Sequence, residues 1–205
     1  GITAPSTRGQ IQAVTRAYMQ AGYDSSTVDL IEAHGTSTVV GDATELNSLS
    51  EAFHNIPAGE SVAVGSIKSQ IGHLKAAAGI AGLIKAIRAV ETGTIPPSAG
   101  FATPNENFAW GSNPFYVPTE PRTWGSSGQH PRRAGISSFG FGGTNFHCAI
   151  ESFDLAYHSK VADEFDTRRA AWLNPSESPR SGLVTATMTH DELKQIEGGG
   201  LLVNA

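Results

Sequence analysis

The stretch Val28-Asp-Leu-Ile-Glu-Ala-His-Gly-Thr-Ser-Thr38, written VDLIEAHGTST, joins an apolar run to a polar loop. It opens with a short, partly β-branched run that follows a turn signal, as is typical of a buried strand. The strand ends near Gly35, which allows close backbone approach, and it delivers His34. The stretch therefore predicts a strand whose end presents an imidazole to whatever lies over the strand tips.

Helical patterns lie on both sides of this strand. Capping-box patterns at Thr7–Gln10 and Asp42–Glu45 predict two helix starts, and the first helix is expected to end at Gly22. A further helix is predicted over Lys75–Ala89. It is expected to be a core helix, with an apolar stripe made of Ile80, Leu83, Ile84 and Ile87.

Further strands alternate with these helices. Val62–Ile67 predicts a second buried strand that leads into Lys68, and Phe115–Val117 predicts an edge strand. Ala134–Ile150 is apolar at both ends with glycines in the middle, which predicts two strands joined by a tight loop. The alternation indicates an α/β domain over residues 1–152.

The last quarter of the chain has a different composition. Residues 153–205 are rich in charged residues, Ser and Pro, with only short apolar patches. This composition predicts a largely irregular C-terminal tail that serves as a linker or docking segment.

Composition and charge limit the possible functions. A net charge of -5 with 14 scattered basic residues argues against a nucleic-acid groove. The single cysteine excludes an internal disulfide framework, which favours a cytoplasmic protein. The N-terminus has no secretory pattern, and charged residues interrupt the apolar stretch 71–90, so no membrane span is expected. The chain does not begin with Met, which fits an excised piece as well as a processed protein.

Three groups of polar residues are candidates for chemistry. His34 ends a strand, and His73 is expected to open an apolar helix whose N-terminus favours a neutral, hydrogen-bonding ring. Lys68 lies between Ile67 and Ile71, so its ammonium either titrates low or needs a partner. Each residue taken alone is equally compatible with an ordinary structural role.

The third group is the glycine loop FGFGGTN, residues 139–145. It lacks the third glycine of a dinucleotide fingerprint, so it is a weak candidate for a phosphate cradle. A turn of this kind can instead present a backbone N–H to a developing oxyanion.

Three motifs together resemble a known family. HGTST at 34–38, KSQIGH at 68–73 and GFGGTNFH at 140–147 occur in the order found in the C-terminal half of β-ketoacyl synthases. The resemblance covers residues 1–152 and is of the type I polyketide synthase or polyunsaturated fatty acid synthase kind. It implies a thiolase-like fold of five α-β-α-β-α layers, of which this chain holds mainly the second half.

The resemblance also implies a reaction. Such enzymes carry out a decarboxylative Claisen condensation between malonyl on an acyl carrier protein and an acyl thioester. By resemblance, His34 and His73 hydrogen-bond the malonyl thioester oxygen, and Lys68 orients them. No metal and no bound cofactor is expected, since the substrate is carried on the phosphopantetheine of the carrier protein.

Other family roles fall on the two loops. Thr36 and Thr38 match threonines that contact the pantetheine arm. Phe141 matches a gating phenylalanine whose backbone N–H joins the oxyanion hole, in a loop that includes Gly142 and a supporting Asn145.

The family's nucleophilic cysteine belongs to the N-terminal half. Cys148, the only cysteine, occupies an ordinary strand position and is expected to be a buried structural thiol. The isolated chain is therefore expected to have no condensing activity. Its expected partners are the acyl carrier protein and the N-terminal ketosynthase half, with a homodimer when complete.

Alternatives remain open. The chain could belong to a non-condensing homologue, a decarboxylase or chain-length partner, or it could be only a structural or docking segment. A metal hydrolase built from His34, His73 and His147 is a further reading, although no carboxylate–histidine pair has ligand spacing.

Overall fold

The computed structural model describes residues 4–59, 61–125, 128–161 and 201–204. Its helices are α1 (Thr7–Ala21), α2 (Val39–Ala52), the single turn α3 (Lys68–Ile71) and α4 (Ala78–Thr92). Residues 155–161 are also helical. The strands are β1 (Leu30–Glu32), β2 (Val62–Gly65), β3 (Thr94–Ile95), β4 (Phe115–Tyr116), β5 (Arg122–Thr123), β6 (Arg133–Phe139), β7 (Asn145–Ser152) and β8 (Leu201–Asn204).

The main sheet has the strand order β4-β2-β1-β6-β7-β8. Strand β1 is parallel to β2 and β6, and β2 is parallel to β4. Strand β7 is antiparallel to both of its neighbours. The parallel strands end at one edge of the sheet, where ligands bind in open α/β folds.

Helices cover both faces of this sheet. Ile31 and Val64 pack with α1 and α2 in one buried cluster, whereas Leu30 and Ala63 pack with α4 in another. Successive strand residues face opposite layers because side chains alternate along a strand. The result is an α-β-α arrangement, and the predicted α/β alternation is confirmed.

The predicted helix starts are wrong in detail. Helix α1 is capped one residue earlier, by Ser6, whose Oγ accepts the Gly9 N–H at 3.3 Å. Its end at Gly22 is as predicted, with a left-handed φ of 76°. Helix α2 begins at Val39, so Asp42 and Glu45 lie inside it rather than capping it. Their carboxylates instead bind the preceding loop.

Helix α4 lies three residues later than predicted and buries a different face. Its buried residues are Ala78, Gly82, Ala86, Ala89 and Val90. Ile80 and Ile84 of the predicted stripe are 54% and 56% exposed. The small residues let the helix approach the sheet closely, and Ile80 and Ile84 point away from it. Leu83 and Ile87 of the predicted stripe are partly buried against the cluster that includes Ala86. Together Ile80 and Ile84 form what we call the α4 outer face.

The strand predictions fit better. The β6–β7 hairpin lies where the glycine loop placed it, with Ile136 opposite Cys148. Strand β4 lies at the edge of the sheet as predicted. Strand β2 stops at Gly65, before the predicted end, because Ile67 already adopts the helical conformation that starts α3.

The beginning of the predicted tail contacts the domain. Glu151 on β7 pairs with Arg133 at 2.9 Å and with His158 at 3.1 Å. Arg133 also donates to the Tyr157 hydroxyl at 2.8 Å. Residues 162–200 and Ala205 of the predicted tail lie outside the described residues, and the division at residue 152 stays a prediction.

Gly135 on β6 is a packing constraint that mutation can test. A Cβ at this position would overlap the Tyr18 hydroxyl and lie 2.6 Å from His147 Nε2. We expect Gly135→Ala to lower the free energy of unfolding by about 1–3 kcal/mol, the usual effect of overpacking. The measurement is a urea unfolding curve.

Gly111→Ala is the matched control, because a Cβ at Gly111 meets nothing within 4 Å. We expect this control to change stability by less than about 0.5 kcal/mol. Equal unfolding midpoints for the two variants would contradict the packing argument.

Candidate active site

His34 follows β1 and is held through its backbone. The His34 and Gly35 N–H groups donate to the two carboxylate oxygens of Glu45 at 2.7 and 2.9 Å. Glu45 is 4% exposed, and burial raises its pKa to about 7. This contact fixes the start of the HGTST loop against α2.

Gly35 brings two motifs together. Its φ is 44°, and a Cβ built there would lie 2.8 Å from the Cβ of Ser66. Ser66 precedes the turn that carries Lys68. A glycine is thus required for the HGTST loop to lie against the loop after β2.

His73 lies on the surface of the described chain, beyond Gly72. Its Nδ1 accepts the Lys75 backbone N–H at 3.0 Å. The neutral ring therefore carries its proton on Nε2, where it can donate to a ligand. The expectation that His73 opens a helix is wrong, because α4 starts at Ala78. Its pKa is lowered by desolvation and by the nearby charges of Lys68 and Lys75.

The structure brings the two predicted histidines together. Their ring centroids are 5.4 Å apart with an interplanar angle of 84°. Desolvation, followed by Lys68 and His73, lowers the pKa of His34 to about 4. The buried His34 Nδ1 has no hydrogen-bond partner among the described residues. Both rings are neutral near pH 7 and can act as hydrogen-bond donors.

Lys68 opens α3 and is half-buried. Within the described part of the chain its ammonium has no hydrogen bond, and burial lowers its pKa. The carboxylates of Glu32 and Glu45 oppose that effect. Lys68 acts on both histidine pKa values, so it lies within electrostatic range of the pair.

The HGTST loop lies beside a cleft that Thr38 lines and Thr36 does not. The hydroxyl oxygens of Thr36 and Thr38 are 3.3 Å apart, and Thr38 lines a cleft of about 680 Å³. Asp42 stabilises this loop by accepting the Ser37 N–H at 3.1 Å.

The glycine loop after β6 adjoins His34. The Phe139 ring lies 6.0 Å from the His34 ring, and the Gly140 N–H closes the loop on the Thr144 carbonyl at 2.7 Å. Phe141 is 79% exposed, and Gly142 has a φ of 75°. This is an open turn beside the histidine pair.

Asn145 points elsewhere. Its buried Nδ2 has no hydrogen-bond partner among the described residues. A Cβ built on Gly9 of α1 would lie 2.8 Å from this Nδ2 atom. The amide therefore faces α1, and any contribution of Asn145 to the loop is through its place at the base of β7.

His147 does not join the histidine pair. Its ring is buried between the Tyr18 hydroxyl at 2.9 Å and the Ser137 hydroxyl at 3.0 Å, and burial lowers its pKa to about 3. Among the described residues no cluster of His, Cys, Asp or Glu could hold a metal ion. His147 therefore does not form, with His34 and His73, the triad that the metal hydrolase interpretation requires. The adjacent Cys148 is half-buried, and burial raises its pKa to about 11.

Sequence reasoning missed two buried carboxylates. The local pattern places Glu45 in a helix cap and gives Glu32 no structural role. The signal for Glu45 was its spacing of eleven residues from His34, which places it on the helix that follows the HGTST loop.

No helix in the described ranges has the length and apolarity needed to cross a membrane.

Comparisons with known proteins show which family this chain is similar to. A family model described as Beta-ketoacyl synthase, C-terminal domain, matches residues 1–102. The chain is 45% identical over 159 residues to Highly reducing polyketide synthase 40 of Fusarium mangiferae, covering 77% of this chain and 6% of that protein. It is 44% identical over 151 residues to a phenolphthiocerol/phthiocerol polyketide synthase of Mycobacterium tuberculosis, covering 74% of this chain and 10% of that protein.

A solved structure is also similar. The ketosynthase from module 6 of the bacillaene synthase from Bacillus subtilis 168 superposes with a TM-score of 0.69 at 35% identity. The superposition covers 82% of this chain and 33% of that chain.

The chain belongs to the β-ketoacyl synthase family. It corresponds to a C-terminal ketosynthase domain of the type I polyketide synthase class, and the predicted thiolase-like fold is confirmed. This ketosynthase chain spans a small part of the length of the two polyketide synthases. The similarity therefore identifies the family of this domain and not the activity of a whole synthase.

The electrostatics of the ketosynthase site can be tested by titration. We expect the His34 ring to titrate with a pKa of about 4 when its ring C–H signals are followed by NMR. Lys68→Met removes a positive charge that lowers both histidine pKa values, so both should rise.

Lys75→Met is the matched control, because Lys75 lowers the pKa of His73 but is not among the causes for His34. It should move the His73 titration alone. A His34 ring that titrates near the ordinary histidine pKa of about 6.5 in the unmodified chain would show that the pair is not held neutral.

Proposed function

We propose that the chain is part of a condensing ketosynthase that joins malonyl on an acyl carrier protein to an acyl thioester. The observation that carries this proposal is the pair of neutral rings, His34 and His73, with centroids 5.4 Å apart. Two neutral donors beside each other suit an oxygen on which negative charge develops.

The chemistry follows from that arrangement. The bond from the malonyl carboxylate to the α-carbon breaks, carbon dioxide leaves, and the electron pair moves into an enolate on the thioester oxygen. The histidine N–H groups stabilise this oxygen. The enolate carbon then attacks the carbonyl of an acyl group on a cysteine thioester, and the cysteine thiolate leaves.

The remaining residues have supporting roles in this proposal. Lys68 orients the histidines, and its charge adds to desolvation in keeping them neutral. Phe141 and Gly142 supply the exposed turn whose backbone N–H meets the oxyanion, with Asn145 at the base of that loop. Thr36 and Thr38 contact the phosphopantetheine arm along the cleft, and no cofactor is bound by the chain itself.

The proposed partners rest on the α4 outer face and on the ketosynthase family. The α4 outer face exposes Ile80 and Ile84 on the helix that follows the His73 loop, and such an apolar face fits the N-terminal half of a ketosynthase. The carrier protein is the second partner, and a homodimer is the expected complete form. A cytoplasmic location fits a chain with a single cysteine.

The histidine pair is tested in the complete synthase expressed from its gene. His34→Ala and His73→Ala should each lower the rate of malonyl decarboxylation about 100- to 1,000-fold, as loss of one oxyanion donor does. The measurement is release of labelled carbon dioxide from malonyl-loaded carrier protein, with the condensed product followed in parallel.

The control is His54→Ala, because His54 is exposed and, among the described residues, its ring is hydrogen-bonded only to the local Glu51 carbonyl. It should retain the full rate. Wild-type decarboxylation by either test variant would refute the assignment. A wild-type protein that decarboxylates without condensing would identify the chain as part of a non-condensing homologue.

The α4 outer face is tested on the isolated 205-residue chain, which we expect to lack condensing activity and to self-associate. Replacing both Ile80 and Ile84 by Glu should shift sedimentation from aggregates towards monomer. Met19→Glu is the control, since Met19 is a single exposed apolar residue on α1. Equal solubilisation by the control would show that α4 is not the associating face, and condensation by the isolated chain would contradict the expected inactivity.

A further inference from the structure

Glu32 is a buried acid that the proposed function does not use. It is the last residue of β1, two positions before His34, and it is 2% exposed. A carboxylate at such a site loses its hydration, and desolvation raises its pKa. Its contacts must therefore offset a substantial penalty.

Each oxygen of the Glu32 carboxylate has a defined partner. Oε2 pairs with the Lys85 ammonium of α4 at 2.8 Å. Oε1 accepts the backbone N–H of Ile67 at 2.6 Å. Ile67 is the residue directly before Lys68, so the second contact fixes the turn from which the Lys68 side chain departs.

Helix α4 leaves space for this carboxylate. A Cβ on Gly82 would lie 3.0 Å from Glu32 Cγ and 3.3 Å from Oε1. The carboxylate thus lies where β1, the Lys68 turn and α4 meet. These elements also carry or flank His34, Lys68 and His73.

Stability alone does not account for the pair. A buried ion pair is often no more stabilising than well-packed apolar residues of the same size, because both charges lose their hydration. Lys85 and Glu32 are 12% and 3% exposed at their side chains, so the pair is of this kind. The contact of Glu32 with the residue before Lys68 favours a role in placing that lysine.

We propose that Glu32 is a positioning residue for Lys68. Its carboxylate, held by Lys85, anchors the turn at Ile67 and supplies a negative charge that faces the Lys68 ammonium. This inference rests on the proposed function, because Lys68 acts there on the histidine pair. Glu45 plays the corresponding part for the His34 backbone from α2.

The charged groups around Lys68 come from several elements. Glu32 on β1 and Glu45 on α2 raise the Lys68 pKa, and Lys85 on α4 lowers it. His73 lies on the loop that follows. Loss of the Glu32 charge therefore leaves Lys68 easier to deprotonate as the pH rises.

The test uses Glu32→Gln in the complete synthase, because glutamine keeps an oxygen for the Ile67 N–H and removes the charge. The kcat for malonyl decarboxylation should fall about 10- to 100-fold, as for other groups that orient catalytic residues, with KM unchanged. The alkaline limb of the pH profile should move to lower pH.

Because Glu32→Gln leaves Lys85 buried without its partner charge, the double variant Glu32→Gln with Lys85→Met keeps the test decisive. It should recover the thermal midpoint but not the kcat. Its alkaline limb should lie between those of Glu32→Gln and the wild type, because Lys85 itself lowers the Lys68 pKa. Glu91→Gln is the matched control, since Glu91 pairs with Arg88 on the exposed side of the same helix. It should behave as the wild type.

Two results would overturn the inference alone. One is a Glu32→Gln enzyme with wild-type kcat and pH profile. The other is a double variant that recovers kcat together with its thermal midpoint, which would reduce the pair to a structural role. A wild-type synthase that does not decarboxylate malonyl-carrier protein would instead remove the proposed function, and this inference with it.

Discussion

The site depends on the contact between the Glu45 carboxylate and the backbone of His34 and Gly35. The two hydrogen bonds, at 2.7 and 2.9 Å, join the backbone just after β1 to a helix that begins four residues after Gly35. The Glu45 oxygens accept the N–H groups of His34 and Gly35, which lie past the end of β1 and have no acceptor on the neighbouring strand. The HGTST loop can therefore leave the sheet in one defined direction and carry the His34 ring with it.

Electrostatics then decide the state of the histidines. His34 is half-buried beside the Lys68 ammonium, so its protonated form is disfavoured and its pKa falls to about 4. The unfolded chain binds that proton more readily, near the ordinary histidine pKa of about 6.5. Folding stability is thus lost as the pH falls from that value towards 4. The same environment that keeps the His34 ring neutral near pH 7 therefore lowers the stability of the domain in acid.

Local patterns predicted the positions of β1, β2, β4, β6 and β7, but they did not predict β3, β5 or β8. Hydrophobic runs and glycines identify β1, β2 and the β6–β7 hairpin, because the residues of these strands are buried in the sheet and their apolar character does not depend on the exact helix boundaries. The helix-capping patterns were wrong where a carboxylate could bind either its own helix or a neighbouring loop. Asp42 and Glu45 fit a capping box, but they bind the loop before α2. The partners of Glu32 lie 35 and 53 residues away, so no local pattern could reveal them.

Helix α4 shows why the site is sensitive to what covers this domain. Its small residues Gly82 and Ala86 face the sheet, whereas Ile80 and Ile84 face outwards. A helix with apolar side chains on both faces suits the middle of a layered fold. His73 lies on the loop that leads into this helix, and it is exposed in the described chain. A partner that covered both the outer face and the loop before α4 would remove water from the His73 ring. That burial would lower the pKa of His73 further and strengthen the hydrogen bond that its Nε2–H can donate.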